Sequence, residues 1–96
     1  MSAYVIVDIE VRDASSYDRY KHAGPSSITA FGGRYLARGG KTEVLEGDWT
    51  PKRLVILEFA TAQRAKEWLN SREYRDARAM RHRAARTNMV VIEGVT

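Results

Sequence analysis

Tyr4-Val-Ile-Val-Asp-Ile-Glu-Val11 alternates. Val5, Val7, Ile9 and Val11 point one way, and Tyr4, Ile6, Asp8 and Glu10 point the other. A period of two is that of a β-strand. One face of this strand is wholly apolar and the other is mixed, so at least one layer must pack on it. Arg53 to Phe59 repeats the pattern, with Val55, Leu57 and Phe59 opposed to Leu54, Ile56 and Glu58. Gly33 to Arg38 reads as a further strand, with a turn or bulge at Gly39-Gly40 and a continuation over Thr42 to Leu45. Asn88 to Val95 reads as the last strand, with Val90 and Ile92 opposed to Met89, Val91 and Glu93.

Between the strands lie helix signals. Asp13 or Ser15 can cap a helix that carries Tyr17 and Tyr20. Gly24-Pro25 interrupts it, and a new helical segment restarts at Pro25, because proline suits a first turn. Gly32-Gly33 ends that segment. Thr61 can cap a helix with Ala62, Ala65, Trp68 and Leu69 on its apolar side. Ser71 can cap another, running to about Ala85, with Tyr74, Ala77, Met80 or Arg81, and Ala84 along it. The order is strand, helix, strand, strand, helix, strand. In a 96-residue chain that order predicts an α+β, ferredoxin-like βαββαβ domain over residues 1–96, with one four-stranded antiparallel sheet and its helices on one face.

Composition sets the outer limits. Hydrophobic residues make up 44% and charged residues 29%, an ordinary globular balance. The absence of cysteine excludes disulfides, thiolate zinc sites and a cysteine nucleophile. With two histidines, His22 and His82, a histidine-rich metal site is not expected, and no cofactor is called for. No apolar run approaches the roughly 20 residues of a membrane span. No basic-then-apolar leader opens the chain, which points to the cytoplasm.

The net charge is +4. Residues 72–86 hold six arginines against Glu73 and Asp76, a surplus equal to the charge of the whole chain. Such a stretch is either a solvated helix face with local ion pairs or a binder of phosphate or nucleic acid. Nucleic acid is not the expected partner, because only Tyr74 interleaves with the arginines, and it fits a core position equally well.

Sorting the strands by face leaves Ile6, Asp8, Leu36, Arg38, Leu54, Ile56, Glu58, Met89, Val91 and Glu93 with no helix to cover them. An apolar patch of that extent calls for a second sheet, and a homodimer with facing sheets is the expected partner. Asp8, Arg38, Glu58 and Glu93 fall on four strands of this set. They form either an acid–base cluster or an interface ion-pair network.

Several motifs point to a family. Phe31-Gly-Gly-Arg-Tyr-Leu-Ala-Arg-Gly-Gly40, Glu46-Gly-Asp-Trp-Thr-Pro-Lys-Arg53, Leu57-Glu-Phe59 and Ser71-x-x-Tyr74 together resemble the small bacterial family called domain of unknown function 1330. The resemblance runs from Ala3 to Val95. It implies the dimeric α/β-barrel superfamily, whose ferredoxin-like protomers pack sheet to sheet. Relatives at that level include cofactor-independent monooxygenases, muconolactone-type isomerases and haem-degrading enzymes. Gly32, Gly33, Gly39 and Gly40 match the family glycines. Tyr35, Arg38, Trp49 and Arg53 match its aromatic and basic positions.

A pocket is expected between the apolar sheet face and the first helix. Tyr17, Tyr20, His22, Ser26, Ser27 and Tyr35 would line it and Trp49 would close it. One reading is a small-molecule enzyme, isomerase-like or monooxygenase-like. Protons would move through His22 or a carboxylate such as Asp8 or Glu58, and Arg38 or Arg53 would hold an anionic oxygen. The other reading is a non-catalytic ligand-binding or protein-interaction module. Haem is the weakest option, since His82 lies among arginines and Trp68 has core spacing with Ala65 and Leu69.

Overall fold

The computed structural model describes residues 1–96. Its elements are β1 (Ala3–Val11), α1 (Ala14–Ala23), α2 (Pro25–Ala30), β2 (Arg34–Arg38), β3 (Leu54–Phe59), α3 (Ala62–Leu69), α4 (Arg72–Ala84) and β4 (Ala85–Glu93). The strands form one antiparallel sheet in the order β2-β3-β1-β4. This is the ferredoxin-like arrangement, with β1 and β3 at the centre.

The helices begin where side chains can satisfy free amides. Asp13 accepts from the Ser16 amide, Thr61 from Arg64 and Ser71 from Tyr74. Pro25 opens α2 after the break at Gly24. Gly33 lies under Phe59 so closely that a Cβ there would sit 2.6 Å from the ring, which reserves the position for glycine.

The core fills the space between the sheet and the helices. Val5, Val7, Ile9, Val55, Leu57 and Phe59 face Tyr17, Ile28, Ala65, Trp68, Tyr74 and Ala77, and all are buried. Trp68 packs 4.3 Å from the Tyr74 ring and 5.5 Å from Phe59, centroid to centroid.

Two strands differ from the sequence reading. β4 runs straight out of α4 from Ala85, and Val11 pairs with Ala85. That pairing sets its phase. Val90 and Ile92 stand opposite Ile6 and Tyr4 on the open face, while Met89, Val91 and Glu93 stand opposite Val7, Val5 and Ala3 on the helix side. The alternation Met-Val-Val-Ile is apolar in either phase, so only the pairing could choose. In β2 the bulge lies at Leu36, between Tyr35 and Ala37, earlier than Gly39-Gly40. It turns Arg38 onto the helix side opposite Val55 and leaves Ala37 opposite Ile56. Thr42 to Leu45 forms no strand and belongs to the long connection between β2 and β3.

The open face is now defined by register. Ile56, Ile6 and Val90 form its central row, flanked by Tyr4 and Ile92 on one side and by Leu54, Asp8 and Asn88 on the other. No helix covers this surface, and Val90 and Ile92 remain more than half exposed. No helix in the protein is long and apolar enough to cross a membrane.

Candidate functional site

The site grows from α4. Tyr74, Ala77, Arg81 and Ala84 recur at helical spacing and all four are buried. Three of them are core residues of the usual kind. Arg81 is a guanidinium in a core position, 3% exposed. Its Nε donates to the Tyr74 hydroxyl at 3.1 Å and its Nη1 to Thr87 Oγ1. The four ion pairs of the protein are Glu10–Arg12, Asp18–Lys21, Arg34–Glu58 and Arg64–Glu67, so no carboxylate neutralises Arg81. Taking a cation out of water without a counter-charge costs several kcal/mol, of which two neutral oxygens recover a part.

The Tyr74 hydroxyl is shared. The Tyr20 hydroxyl lies 2.6 Å from it. Burial, then the nearby Tyr74, pushes the Tyr20 phenol well above its ordinary range. Burial also raises Tyr35. Both phenols therefore stay protonated at neutral pH and do not serve as bases.

Around this network lies a cavity of about 20 Å³, enough for one water. Val7, Ile9, Val55, Leu57 and Met89 form its sheet wall. Tyr17, Tyr20, Ile28, Trp68 and Arg81 form its helix wall, with Lys21, Tyr35 and Arg38 at the side. Arg38 stacks on Tyr35, 4.5 Å from the ring centroid, and donates to the Lys21 carbonyl at 2.7 Å. Arg38 is exposed and Tyr35 half-buried, so this pair forms the rim. Arg53 reaches the same wall from behind and donates to the Tyr17 hydroxyl at 3.0 Å.

Of the residues expected at the pocket, Tyr17, Tyr20 and Tyr35 line the cavity and Arg38 joins them through the β2 bulge. His22 and Ser26 are exposed and lie outside it. Ser27 is buried, where it holds Trp68 Nε1 and donates to the Gly24 carbonyl. Trp49 is on the far side of the sheet. Its indole donates to Asp8 at 3.0 Å.

The four-strand charge cluster does not assemble. Arg38 and Glu93 lie on the helix side, Glu58 pairs with Arg34 at 2.6 Å, and Asp8 is occupied by the loop. Asp8 and Glu58 are separated by four residues of strand, about 13 Å. No three histidine, aspartate or glutamate side chains converge as a metal site requires.

Asp8 instead pins the long β2–β3 connection. Besides Trp49 it accepts from the Lys52 amide at 2.9 Å. Asp8→Ala is expected to lower stability by about 1–3 kcal/mol and to speed amide exchange across residues 40–52. Unchanged exchange there would mean that the loop is held by something else.

Arg81, Tyr74 and Trp68 were not expected at the site. The signal for Arg81 was present: a cation at the apolar spacing of α4, with tyrosine seven residues before it and alanines three and four residues to either side. What the spacing could not supply was the Tyr20 hydroxyl, which comes from 54 residues away.

Several solved structures resemble this chain. A protein of unknown function from Rhodopseudomonas palustris superposes with a TM-score of 0.77 at 16% identity, covering 99% of this chain and 83% of its own. A dimeric ferredoxin-like protein of unknown function from Jannaschia sp. CCS1 gives 0.67 at 15% identity, covering 98% and 100%. A candidate antibiotic biosynthesis monooxygenase from Nitrosomonas europaea gives 0.60 at 15%, covering 98% and 90%. At these identities the likeness establishes the ferredoxin-like fold alone. No curated protein matches the chain significantly. The family comparison is more direct, since the model described as domain of unknown function (DUF1330) matches residues 2–95, and the chain belongs to that family.

Proposed function

We propose that the protein is a homodimer, joined sheet to sheet, in which each protomer binds a small, mostly apolar molecule carrying one oxyanion. The observation that carries this reading is Arg81, a buried guanidinium without a carboxylate, beside the Tyr20–Tyr74 hydroxyl pair at the edge of an apolar cavity. A phenolate or enolate oxygen would supply the missing negative charge and accept from the Tyr20–Tyr74 pair. The cavity is contracted, so entry requires Arg38 to leave the Lys21 carbonyl and swing off Tyr35. That costs one exposed hydrogen bond and the stacking on Tyr35, and the apolar walls must also spread to admit more than a water. Dimerisation is supported by the uncovered row of Ile56, Ile6 and Val90 and by the dimeric Jannaschia protein.

Stabilising an enolate or phenolate is the shared requirement of isomerase-like and monooxygenase-like reactions that use no cofactor. No carboxylate or imidazole lines the cavity to remove a proton. This favours binding the ligand already ionised, and it keeps a non-catalytic binding role as the second reading.

A chromogenic phenol separates these ideas from a purely structural role for Arg81. With 4-nitrophenol below its own pKa, the wild-type protein is expected to raise the phenolate absorption band. Tyr20→Phe should weaken binding about tenfold, the worth of one hydrogen bond to a charged oxygen. Arg81→Met should abolish the band. If the folded wild-type protein leaves the spectrum unchanged with this probe and with a series of larger phenols and enols, the oxyanion reading fails.

A further inference from the structure

The arginine-rich stretch of α4 does not make the local ion pairs that a solvated helix face would use. None of the protein's four ion pairs includes a residue of α4. Arg72, Arg75 and Arg78 lie instead along one side of the helix, with His82 one turn further on. Together with Asn70 and Ser71 at the α3–α4 junction they line a groove of about 430 Å³, and no carboxylate shares it.

Helix stability does not explain this placement. Arg72 sits in the first turn, where the helix dipole disfavours a cation. Cations three residues apart on one face repel each other. Arg78 is held in position by the Leu69 carbonyl and Asn70 Oδ1, which accept from its Nη1 at 3.3 and 3.2 Å. Its Nε is buried with no hydrogen-bond partner, and it is the one such side-chain atom in the protein. Three guanidiniums thus line one groove with no carboxylate to neutralise them.

We infer that the α3–α4 groove binds a small molecule carrying two or more linked phosphates, held by Arg72, Arg75 and Arg78 with His82 at one end. The groove is open and lined mainly by polar and cationic side chains, which suits a compact anion rather than the apolar ligand of an enclosed pocket. From Arg72 to His82 the helix rises about 15 Å, room for adjacent phosphates on successive guanidiniums. The groove holds no aromatic ring on which a nucleobase could stack, which favours a compact polyanion over a single-stranded nucleic acid. This site is separate from the interior cavity, and neither depends on the other.

Calorimetric titration of the whole protein with inorganic pyrophosphate tests the inference. Saturable binding at one site per chain is expected, about tenfold or more tighter than orthophosphate, because two linked anions engage more guanidiniums. The His82 ring resonances should shift on titration, while those of His22, outside the groove, stay in place. Arg75→Gln, at an exposed position, should weaken binding about tenfold, whereas Arg83→Gln and Arg86→Gln should change it less than about twofold. Equal losses from all three substitutions would reduce the effect to diffuse positive charge and overturn the site. So would non-saturable binding, or a single-stranded oligonucleotide that binds more tightly than pyrophosphate.

Discussion

Trp68→Ala is expected to lower unfolding free energy by about 3–5 kcal/mol, a large part of the roughly 5–15 kcal/mol that holds a domain of this size. The indole is 1% exposed and lies between Tyr74 and Phe59, so its removal leaves a void walled by rings that cannot collapse independently. The polar edge is lost too. Trp68 Nε1 donates to Ser27 Oγ at 3.1 Å, and that hydroxyl in turn holds the Gly24 carbonyl at the α1–α2 break. The change therefore loosens α1 and α2 as well as α3. Trp68→Phe keeps most of the apolar volume and should cost about 1–3 kcal/mol, because Ser27 retains its bond to Gly24 while the indole donor and part of the ring disappear. Urea unfolding followed by circular dichroism measures both. A loss below about 1 kcal/mol for the alanine variant would contradict the packing described.

Val90→Asp is expected to convert the proposed sheet-to-sheet dimer to a monomer without unfolding the chain. Val90 is 60% exposed on the open face and closes the row formed with Ile56 and Ile6. In the isolated protomer the new carboxylate is solvated and nearly neutral for the fold. In a symmetric sheet-to-sheet dimer each substitution occurs twice, and each copy buries a charge against an apolar surface. A weakening of the dimer by about a thousandfold or more follows, equivalent to about 4 kcal/mol. Light scattering after size exclusion should give about 22 kDa for the wild type, twice the 10.9 kDa chain, and about 11 kDa for the variant. A wild-type mass of 11 kDa that holds at high concentration would remove the dimer and leave the open face for a different partner.

The outcomes for particular residues show why the fold was more legible than the site. In β1 Asp8 and Glu10 alternate with Val7, Ile9 and Val11, and in β3 Glu58 stands between Leu57 and Phe59, so a few charged residues fix which face is buried. Asp13, Thr61 and Ser71 bond to amides three residues ahead, and such short-range caps are readable locally. Met89 to Ile92 offers no such contrast, and its phase comes from pairing with a strand some 80 residues earlier. Arg38 changed faces because a one-residue bulge at Leu36 is a property of the β2–β3 pair. With it went the expected charge cluster. Asp8 lies on the predicted face, but the Trp49 indole that reaches it comes from a loop whose path no local rule describes.

By itself the sequence determined the order of elements, the helix starts, the apolar faces of the two central strands and the family. The first three rest on contacts within a few residues or on periodicities of two and 3.6, and the family rests on the resemblance of the motif runs from Phe31 to Gly40 and from Glu46 to Arg53. Only the tertiary structure decided which face β4 and Arg38 present, that Asp8 holds a loop, and that Arg81 meets the Tyr20–Tyr74 pair inside the core. Those features join side chains from distant parts of the chain. Their cause is the register of strands and the burial of a charge, both set when the sheet closes against its helices.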